Sequence, residues 1–269
     1  MLLREVEYAR PGSVEEALSL LGAHDGARAL AGGQTLLNVM KARAASPDVL
    51  VDLNALDELR AIRTGRDGLE LGAMVTYTQL MASSEVEVTR PIVAEVAAAI
   101  ADVQVRNRGT IGGNVCSNDP TNHLPALMVA LDARMTILGA GGAREVPAQE
   151  FFLGVYLTAV GTGELLTKIT VPAPEGAGDG FAAATIGKDG TCIVNAAAVV
   201  KGDEARVAIG CVSAVPELAT GTPDSIRDAV RALGLDPPSD VHASADYRRH
   251  LAEVLAERAV RQATERARS

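Results

Sequence analysis

Two short runs of the sequence combine paired glycines with hydroxyl and amide side chains, the residue types that can surround an anionic ligand. They are Ala31-Gly32-Gly33-Gln34-Thr35 and Thr110-Ile111-Gly112-Gly113-Asn114. The first lies between a predicted strand and a predicted helix, a position that presents unpaired backbone N–H groups to an anion such as phosphate. Paired glycines let the main chain approach the phosphate closely. Two such loops favour a diphosphate ligand; the alternative is that each pair only forms a tight turn.

Other kinds of chemistry find little support in the sequence. Neither loop is a Walker A or a Rossmann turn, so their spacing alone indicates only a nucleotide-like ligand. No Ser-His-Asp arrangement or carboxylate pair with acid–base spacing occurs, and we therefore predict no catalytic side chain. Cys116, Cys192 and Cys211 are too few for an iron–sulfur cluster, which needs four thiolates. The four histidines lack metal-ligand spacing, so no metal site is expected.

Composition narrows the class of protein further. The chain has 269 residues, of which 48% are hydrophobic and 22% charged, the balance of a globular protein. A net charge of −9 and only 3% aromatic residues argue against nucleic-acid binding. No uninterrupted apolar stretch is long enough to span a membrane. The charged N-terminus does not resemble a signal peptide, and we expect a cytoplasmic protein.

The order of predicted elements favours an α+β fold. A compact β-loop-α-β unit occupies the first fifty or so residues, and the polar, Gly-rich stretch 104–123 carries too few apolar residues for a helix or a strand. The second half contains a run of strands and then two helices, the last from about Ser244 to Arg268. A cluster of prolines and glycines over residues 172–180 marks the best domain boundary.

Two longer segments resemble one known family, the FAD-binding medium subunits of the molybdenum hydroxylases, which include carbon monoxide dehydrogenase and xanthine dehydrogenase. The first segment, residues 31–36 followed by Met40-Lys41-Ala42-Arg43, is similar to the family's AGG[HQ]SL…MK-x-R. The second, residues 104–114, is similar to its second flavin loop and continues through Asp119-Pro120 to Leu124-Pro125-Ala126. The resemblance covers essentially the whole chain, and two long motifs in the same order make it specific.

This resemblance implies a fold and a domain organisation. The fold class is α+β: an FAD-binding domain of the vanillyl-alcohol-oxidase (PCMH) type in two α+β subdomains, followed by a C-terminal three-stranded sheet with helices. The FAD-binding domain would occupy residues 1–175, with a break between its subdomains near residues 55–60. A C-terminal flavoprotein domain of the carbon monoxide dehydrogenase type would occupy residues 176–269.

The resemblance also implies the cofactor contacts. The two glycine loops would hold the FAD pyrophosphate, and the backbone near Leu166 would pass the isoalloxazine ring. The implied contacts are Ala31, Gly32, Gly33, Gln34, Thr35, Leu36, Thr110, Ile111, Gly112, Gly113, Asn114, Asp119, His123 and Leu166.

The function implied is electron transfer within a larger enzyme. A large subunit would hold the molybdenum cofactor and oxidise the substrate, and a small subunit with [2Fe–2S] clusters would pass electrons to FAD in this chain. The flavin would deliver them to a quinone, a carrier, NAD or oxygen. The family suggests a dimer of heterotrimers.

Two departures from the family keep alternatives open. Many relatives have Asp where this chain has His123, and some carry an aromatic residue beside the flavin where this chain has Thr191. The alternatives are a stand-alone FAD-dependent reductase or oxidase, and a scaffolding subunit that has lost its flavin.

Overall fold

The N-terminal part of the chain forms a three-stranded parallel sheet. In the computed structural model, which describes residues 3–187 and 190–268, its elements are β1 (Glu7–Ala9), α1 (Val14–Ala23), β2 (Ala27–Leu30), α2 (Leu36–Lys41) and β3 (Val49–Asp52). The central strand β3 pairs in parallel with both β1 and β2. All four residues of β3 are buried, as expected for a parallel strand covered on both faces. Two 3-10 turns, Leu53–Ala55 and Asp57–Arg60, lead out of this sheet.

The middle of the chain forms a five-stranded antiparallel sheet and most of the helices. In chain order these elements are β4 (Ile62–Gly65), β5 (Gly68–Gly72), α3 (Tyr77–Ala82), α4 (Ser84–Thr89), α5 (Pro91–Ala98), α6 (Val103–Arg108), α7 (Ile111–Ser117), α8 (Leu124–Ala130), β6 (Arg134–Gly139), β7 (Gly142–Pro147), α9 (Ala148–Phe151), β8 (Phe152–Gly154), β9 (Leu157–Thr158) and β10 (Leu165–Val171). The strand order is β4-β5-β10-β6-β7, and β8 and β9 form a separate hairpin. The largest hydrophobic cluster joins this sheet to α5, α7 and α8.

The C-terminal part is an antiparallel meander covered by a long helix. Its elements are β11 (Gly178–Thr185), β12 (Cys192–Lys201), β13 (Glu204–Gly210), β14 (Glu217–Gly221), α10 (Ile226–Ala232) and α11 (Ala245–Ala267). The helix α11 lies so close to β11 that a Cβ on Gly178 or Gly180 would come within 1.9 Å of the carbonyl oxygens of Ala263 and Ala259. Small residues on both sides therefore set the spacing between helix and sheet.

The α+β class expected from the sequence is confirmed, with two differences in detail. The C-terminal sheet has four strands, whereas the sequence predicts three. The additional strand is β14. Only Ala219 of its five residues is buried, so β14 lacks the alternation of buried and exposed residues that marks a strand. The stretch 104–123, expected to form neither helix nor strand, contains α7 and most of α6. Asp102 and Thr110 cap these short helices, and burial of Ile111 and Val115 outweighs the low helix propensity of the glycines.

The C-terminal sheet is joined to the helical layer by a buried ion pair. Arg90, between α4 and α5, lies 2.6 Å from the Oδ2 of Asp179 in β11, and the two side chains are only 4% and 9% exposed. The Arg90 guanidinium also donates to the carbonyl of Pro172 at 2.8 Å. Burial raises the pKa of Asp179, and the Arg90 charge opposes that rise. Within the described residues, no helix is both long and apolar enough to cross a membrane.

Substitution of Arg90 should destabilise the fold strongly. We expect Arg90→Met to lower the free energy of unfolding by about 3–5 kcal/mol, because the Asp179 carboxylate is left buried without its partner. Chemical denaturation followed by circular dichroism measures this. The matched control is Arg231→Met, which removes the ion pairs of an exposed arginine with Asp228 and Glu253 and should cost about 1 kcal/mol or less.

The loss in Arg90→Met should also depend on pH. Without the guanidinium, the folded-state pKa of Asp179 rises further above its unfolded value, so protonation favours the folded state and the deficit shrinks as pH falls. A deficit that is equal in Arg90→Met and Arg231→Met, or that grows on acidification, would contradict the assigned role of the buried pair.

Candidate functional site

The first glycine loop, residues 31–36, connects β2 to α2 with its N–H groups unpaired. Gly33 has a φ of +74°, which favours glycine. Carbonyls of the loop are engaged instead: the side-chain amide of Gln34 donates to the Gly32 carbonyl at 3.2 Å, and Asn38 donates to the Gln34 carbonyl at 2.8 Å. Within the described residues, the N–H groups from Gly32 through Leu36 donate no hydrogen bond. Successive free N–H groups of this kind form an anion-binding concavity.

A polar network missed by the sequence analysis holds this loop in place. The side-chain amide of Asn54 donates to the carbonyl of Ala31 at 3.0 Å and to Asp52 at 2.6 Å. Tyr8 donates to the other carboxylate oxygen of Asp52, and Arg60 donates to the Asn54 carbonyl at 3.2 Å. The only sequence signal for this network is that Asp52 and Asn54 come at the end of a buried strand.

The second glycine loop differs from the first, because the N–H groups of residues 111–114 are all bonded to other groups of the protein. Ile111 and Gly112 donate to the carbonyls of Val75 and Ala73, both at 2.9 Å. The N–H of Gly113 donates to the Thr110 hydroxyl at 3.0 Å, and Asn114 donates to the Thr110 carbonyl at 3.0 Å. These bonds leave the Thr110 hydroxyl proton, rather than a row of N–H groups, for a ligand. They also explain Gly112, because a Cβ there would lie 2.5 Å from the Ala73 carbonyl oxygen.

The two loops, far apart in sequence, are in direct contact. A Cβ on Gly32 would lie 2.1 Å from the carbonyl oxygen of Arg108 and 3.0 Å from the Cα of Gly109. One turn further along, a Cβ on Gly113 would lie 3.6 Å from the Cβ of Ala31. The structure therefore brings the two predicted loops together into one site.

A buried polar pair supports the start of α7. The side chain of Asn114 donates to the hydroxyl of Tyr77 at 2.9 Å, and burial raises the pKa of Tyr77 to about 12. The Oδ1 atom of Asn114 is buried and has no hydrogen-bond partner within the described residues. An orphaned acceptor beside the two loops is available to a ligand that donates a hydrogen bond.

Leu166 is linked to the second loop through Ala73. The N–H of Ala73 donates to the carbonyl of Thr167 at 3.0 Å, and the Ala73 carbonyl accepts from Gly112. The pairing of β10 with β6 is irregular between Leu166 and Lys168, and the Leu166 side chain is buried in the main core. The backbone of Thr167, next to Leu166, is therefore linked to the second loop, and the cofactor contact of Leu166 stays a prediction.

Asp119 and His123 lie beyond the C-terminus of α7. That helix is about 10 Å long, and the second glycine loop is at its other end. The Asp119 carboxylate accepts from the N–H and hydroxyl of Thr121 at 2.9 and 2.8 Å, and from the Tyr156 hydroxyl at 3.0 Å. The His123 ring is buried edge-on against Phe181, with centroids 5.4 Å apart. In the part of the chain that is described, no three metal-ligating side chains gather. The cofactor contacts of Asp119 and His123 stay predictions.

Comparison with known proteins identifies relatives along the whole chain. Residues 4–174 match the family described as the FAD binding domain in molybdopterin dehydrogenase. The chain is 37% identical to the carbon monoxide dehydrogenase medium chain of Afipia carboxidovorans, with 100% of both chains covered. It is 33% identical to the glyceraldehyde dehydrogenase medium chain of Sulfolobus acidocaldarius, covering 96% of this chain and 98% of that one.

Solved structures of similar proteins superpose on the chain over almost its whole length. A chain of the reconstituted CO dehydrogenase from Oligotropha carboxidovorans superposes with a TM-score of 0.94 at 35% identity, covering 99% of this chain and 100% of that one. A chain of quinoline 2-oxidoreductase from Pseudomonas putida 86 gives a TM-score of 0.93 at 32% identity, with both chains covered fully.

The contact between the loops predicts the effect of a methyl group at Gly32. We expect Gly32→Ala to raise the apparent Kd for FAD at least about tenfold, because the Cβ forces the first loop away from Arg108. Fluorescence titration of the flavin measures the Kd. The control is Gly141→Ala, where no atom lies within 4 Å of the added Cβ; equal affinities in the two variants would argue against a ligand site at this contact.

Two threonines should separate ligand binding from folding. The Thr35 hydroxyl does not cap α2, whereas the Thr110 hydroxyl accepts from Gly113 and caps α7. We expect Thr35→Val to weaken FAD binding with little change in the stability of the free protein. We expect Thr110→Val to weaken FAD binding and also to cost about 1 kcal/mol of stability in the free protein. Thermal denaturation with and without FAD distinguishes them, and an unchanged FAD-induced shift in Thr35→Val would contradict the ligand-facing role.

Proposed function

The chain belongs to the family of FAD-binding domains of molybdopterin dehydrogenases, and from this premise we propose that it is the FAD-binding, electron-transferring subunit of a multi-subunit molybdenum hydroxylase. The observation that carries the proposal is the row of unpaired N–H groups from Gly32 through Leu36, in contact with the second glycine loop. A domain of residues 1–175 would bind FAD, and residues 176–269 would form the C-terminal flavoprotein domain; the family match ends at residue 174.

The residues present fit FAD. The N–H groups of residues 32–36 would hold the pyrophosphate, and the free proton of the Thr110 hydroxyl and the side chain of Thr35 would add donors. When bound, the flavin supplies two-electron redox chemistry, and the protein supplies binding and orientation. The chain's own residues exclude water and fix the loops: Gly112 closes against Ala73, and Asn54 holds the carbonyl of Ala31. We assign no acid–base role to any side chain.

Partner subunits complete the proposed enzyme. The sequence has three cysteines, fewer than the four thiolates of an all-cysteine [2Fe–2S] cluster, so we place the clusters that reduce this flavin in another chain. Relatives matched along their whole length are named medium chains of dehydrogenases. We therefore place a small [2Fe–2S] subunit and a large molybdenum-cofactor subunit beside this chain, as a dimer of heterotrimers in the cytoplasm.

The absorption spectrum of the purified chain tests flavin binding. We expect the visible bands of an oxidised flavin, and acid release should give one FAD per chain on chromatography. The matched sample is Gly32→Ala, purified in the same way, which should carry less flavin. A colourless wild-type protein that takes up no added FAD would contradict the proposal and favour a scaffolding role.

Co-purification tests the partners separately. A tagged chain expressed in its native cell should bring down two companion chains, one containing molybdenum and the other iron and labile sulfide. A flavin-loaded chain that purifies alone and oxidises a small substrate would instead support a stand-alone reductase or oxidase.

A further inference from the structure

Two cysteines outside the flavin loops lie around one buried amide. Cys192 begins β12, and Cys211 follows the last residue of β13; the two strands pair with Asn195 opposite Gly210. The side-chain nitrogen of Asn195 lies 3.6 Å from the sulfur of Cys192 and 3.1 Å from the sulfur of Cys211. One amide therefore holds both sulfur atoms on the same side of the sheet.

The backbone around this pair makes room for the buried amide that contacts both sulfurs. Asn195 is fully buried, and a Cβ on Gly210 would lie 2.5 Å from its Oδ1 atom, so glycine leaves the space that the amide occupies. Cys211 has a φ of +68°, a left-handed conformation that is costly for a residue with a side chain. Strained residues of this kind persist where the surrounding structure requires them, and they concentrate at functional sites.

Charged and polar groups on every side make one of the two thiols acidic. The pKa of Cys192 is lowered chiefly by the neighbouring Cys211 thiol, with further stabilisation from His123 and Asn195, and burial opposes this shift. Cys192 correspondingly raises the pKa of Cys211, on which Arg248 of α11 and Asp119 act in opposite directions. His123 is also buried, with 6% of its surface exposed. Its Nδ1 atom has no hydrogen-bond partner within the described residues.

Cys116 provides the contrast. It lies in α7 without a neighbouring thiol, and burial raises its pKa to about 12. At neutral pH a thiolate is the reactive form of cysteine, so Cys116 should be inert where Cys192 is reactive.

We propose that Cys192 and Cys211 form a peroxide-reactive thiol pair that closes to a disulfide. The Cys192 thiolate attacks hydrogen peroxide: a sulfur–oxygen bond forms, the oxygen–oxygen bond breaks and hydroxide leaves, giving a sulfenic acid. The sulfur of Cys211 then displaces that oxygen, which leaves with the thiol proton as water. In total, two thiols and one peroxide give one disulfide and two waters, with peroxide as the oxidant.

Access favours a small oxidant. Cys211 is half-buried and lines a surface cleft together with Asn122, Pro125 and Ser213. Cys192 is only 3% exposed and does not line this cleft, so an oxidant enters the pair from the side of Cys211. The cleft has room for about one molecule of the size of water. Hydrogen peroxide is only slightly larger than water, whereas a peptide thiol such as glutathione is far too large to enter.

Peptide mass spectrometry on the full chain tests the proposal. The purified, reduced protein is treated with hydrogen peroxide at about one equivalent, free thiols are alkylated, and the digest is analysed. We expect a linked peptide pair containing Cys192 and Cys211, while Cys116 stays alkylated. Since the readout is the mass of these peptides, it is independent of whether the chain holds FAD.

Variants define the outcomes that would overturn the proposal. In Cys211→Ser, Cys192 should be oxidised to sulfenic acid or beyond without forming a disulfide. In His123→Gln, the oxidation of Cys192 should slow about tenfold at neutral pH, as for a Cys192 pKa raised by about one unit. The pH profile of the oxidation rate should move upwards by the same amount. Cys116→Ser is the matched control and should form the Cys192–Cys211 disulfide at the wild-type rate. Oxidation of Cys192 no faster than that of Cys116, or oxidation without a link to Cys211 in the wild type, would refute the thiol pair.

Discussion

The site depends on the contact between the Gly32 backbone and the carbonyl of Arg108, where no Cβ can fit. This contact holds one loop with free N–H groups against another whose N–H groups are already bonded. A loop with many unpaired donors is unstable by itself, since each donor that is neither solvated nor bonded costs free energy. In the second loop, the N–H groups of residues 111–114 are bonded to the carbonyls of Ala73, Val75 and Thr110 and to the Thr110 hydroxyl. The first loop therefore presents free N–H donors, and the second loop packs against it.

Both sheets converge on this contact. The parallel sheet delivers the first loop from the end of β2, and the network of Asp52 and Asn54 after β3 fixes its carbonyl at Ala31. The antiparallel sheet delivers the second loop, because Ala73 follows β5 and bonds to both Gly112 and Thr167. Since FAD redox chemistry needs position rather than a proton-transferring side chain, a site made mostly of backbone is sufficient. The thiol pair at Cys192 and Cys211 lies in the C-terminal sheet and uses none of these groups.

Local features of the site were predictable from the sequence, and long-range ones were not. The first loop was placed correctly between a strand and a helix because apolar periodicity changes on either side of Gly32 and Gly33. The helix α7 was missed because Ile111 and Val115 are too few to show a period, and its stability comes from packing and from the Thr110 cap. Which loop keeps free N–H groups depends on Ala73 and Val75, almost forty residues earlier. The convergence of Cys192, Cys211 and His123 likewise depends on strand pairing that no local pattern reveals.

In the proposed site, the N–H groups of residues 32–36 receive the FAD pyrophosphate. Amide ¹H–¹⁵N spectra of the isotopically labelled chain, recorded during titration with FAD, test it most directly. We expect the amide signals of Gly32 through Leu36 to shift downfield and to exchange more slowly with solvent once FAD is bound. Those of Ile111 through Asn114 should be slow to exchange both before and after. Shifts confined to residues 111–114, with the first loop unaffected, would contradict it.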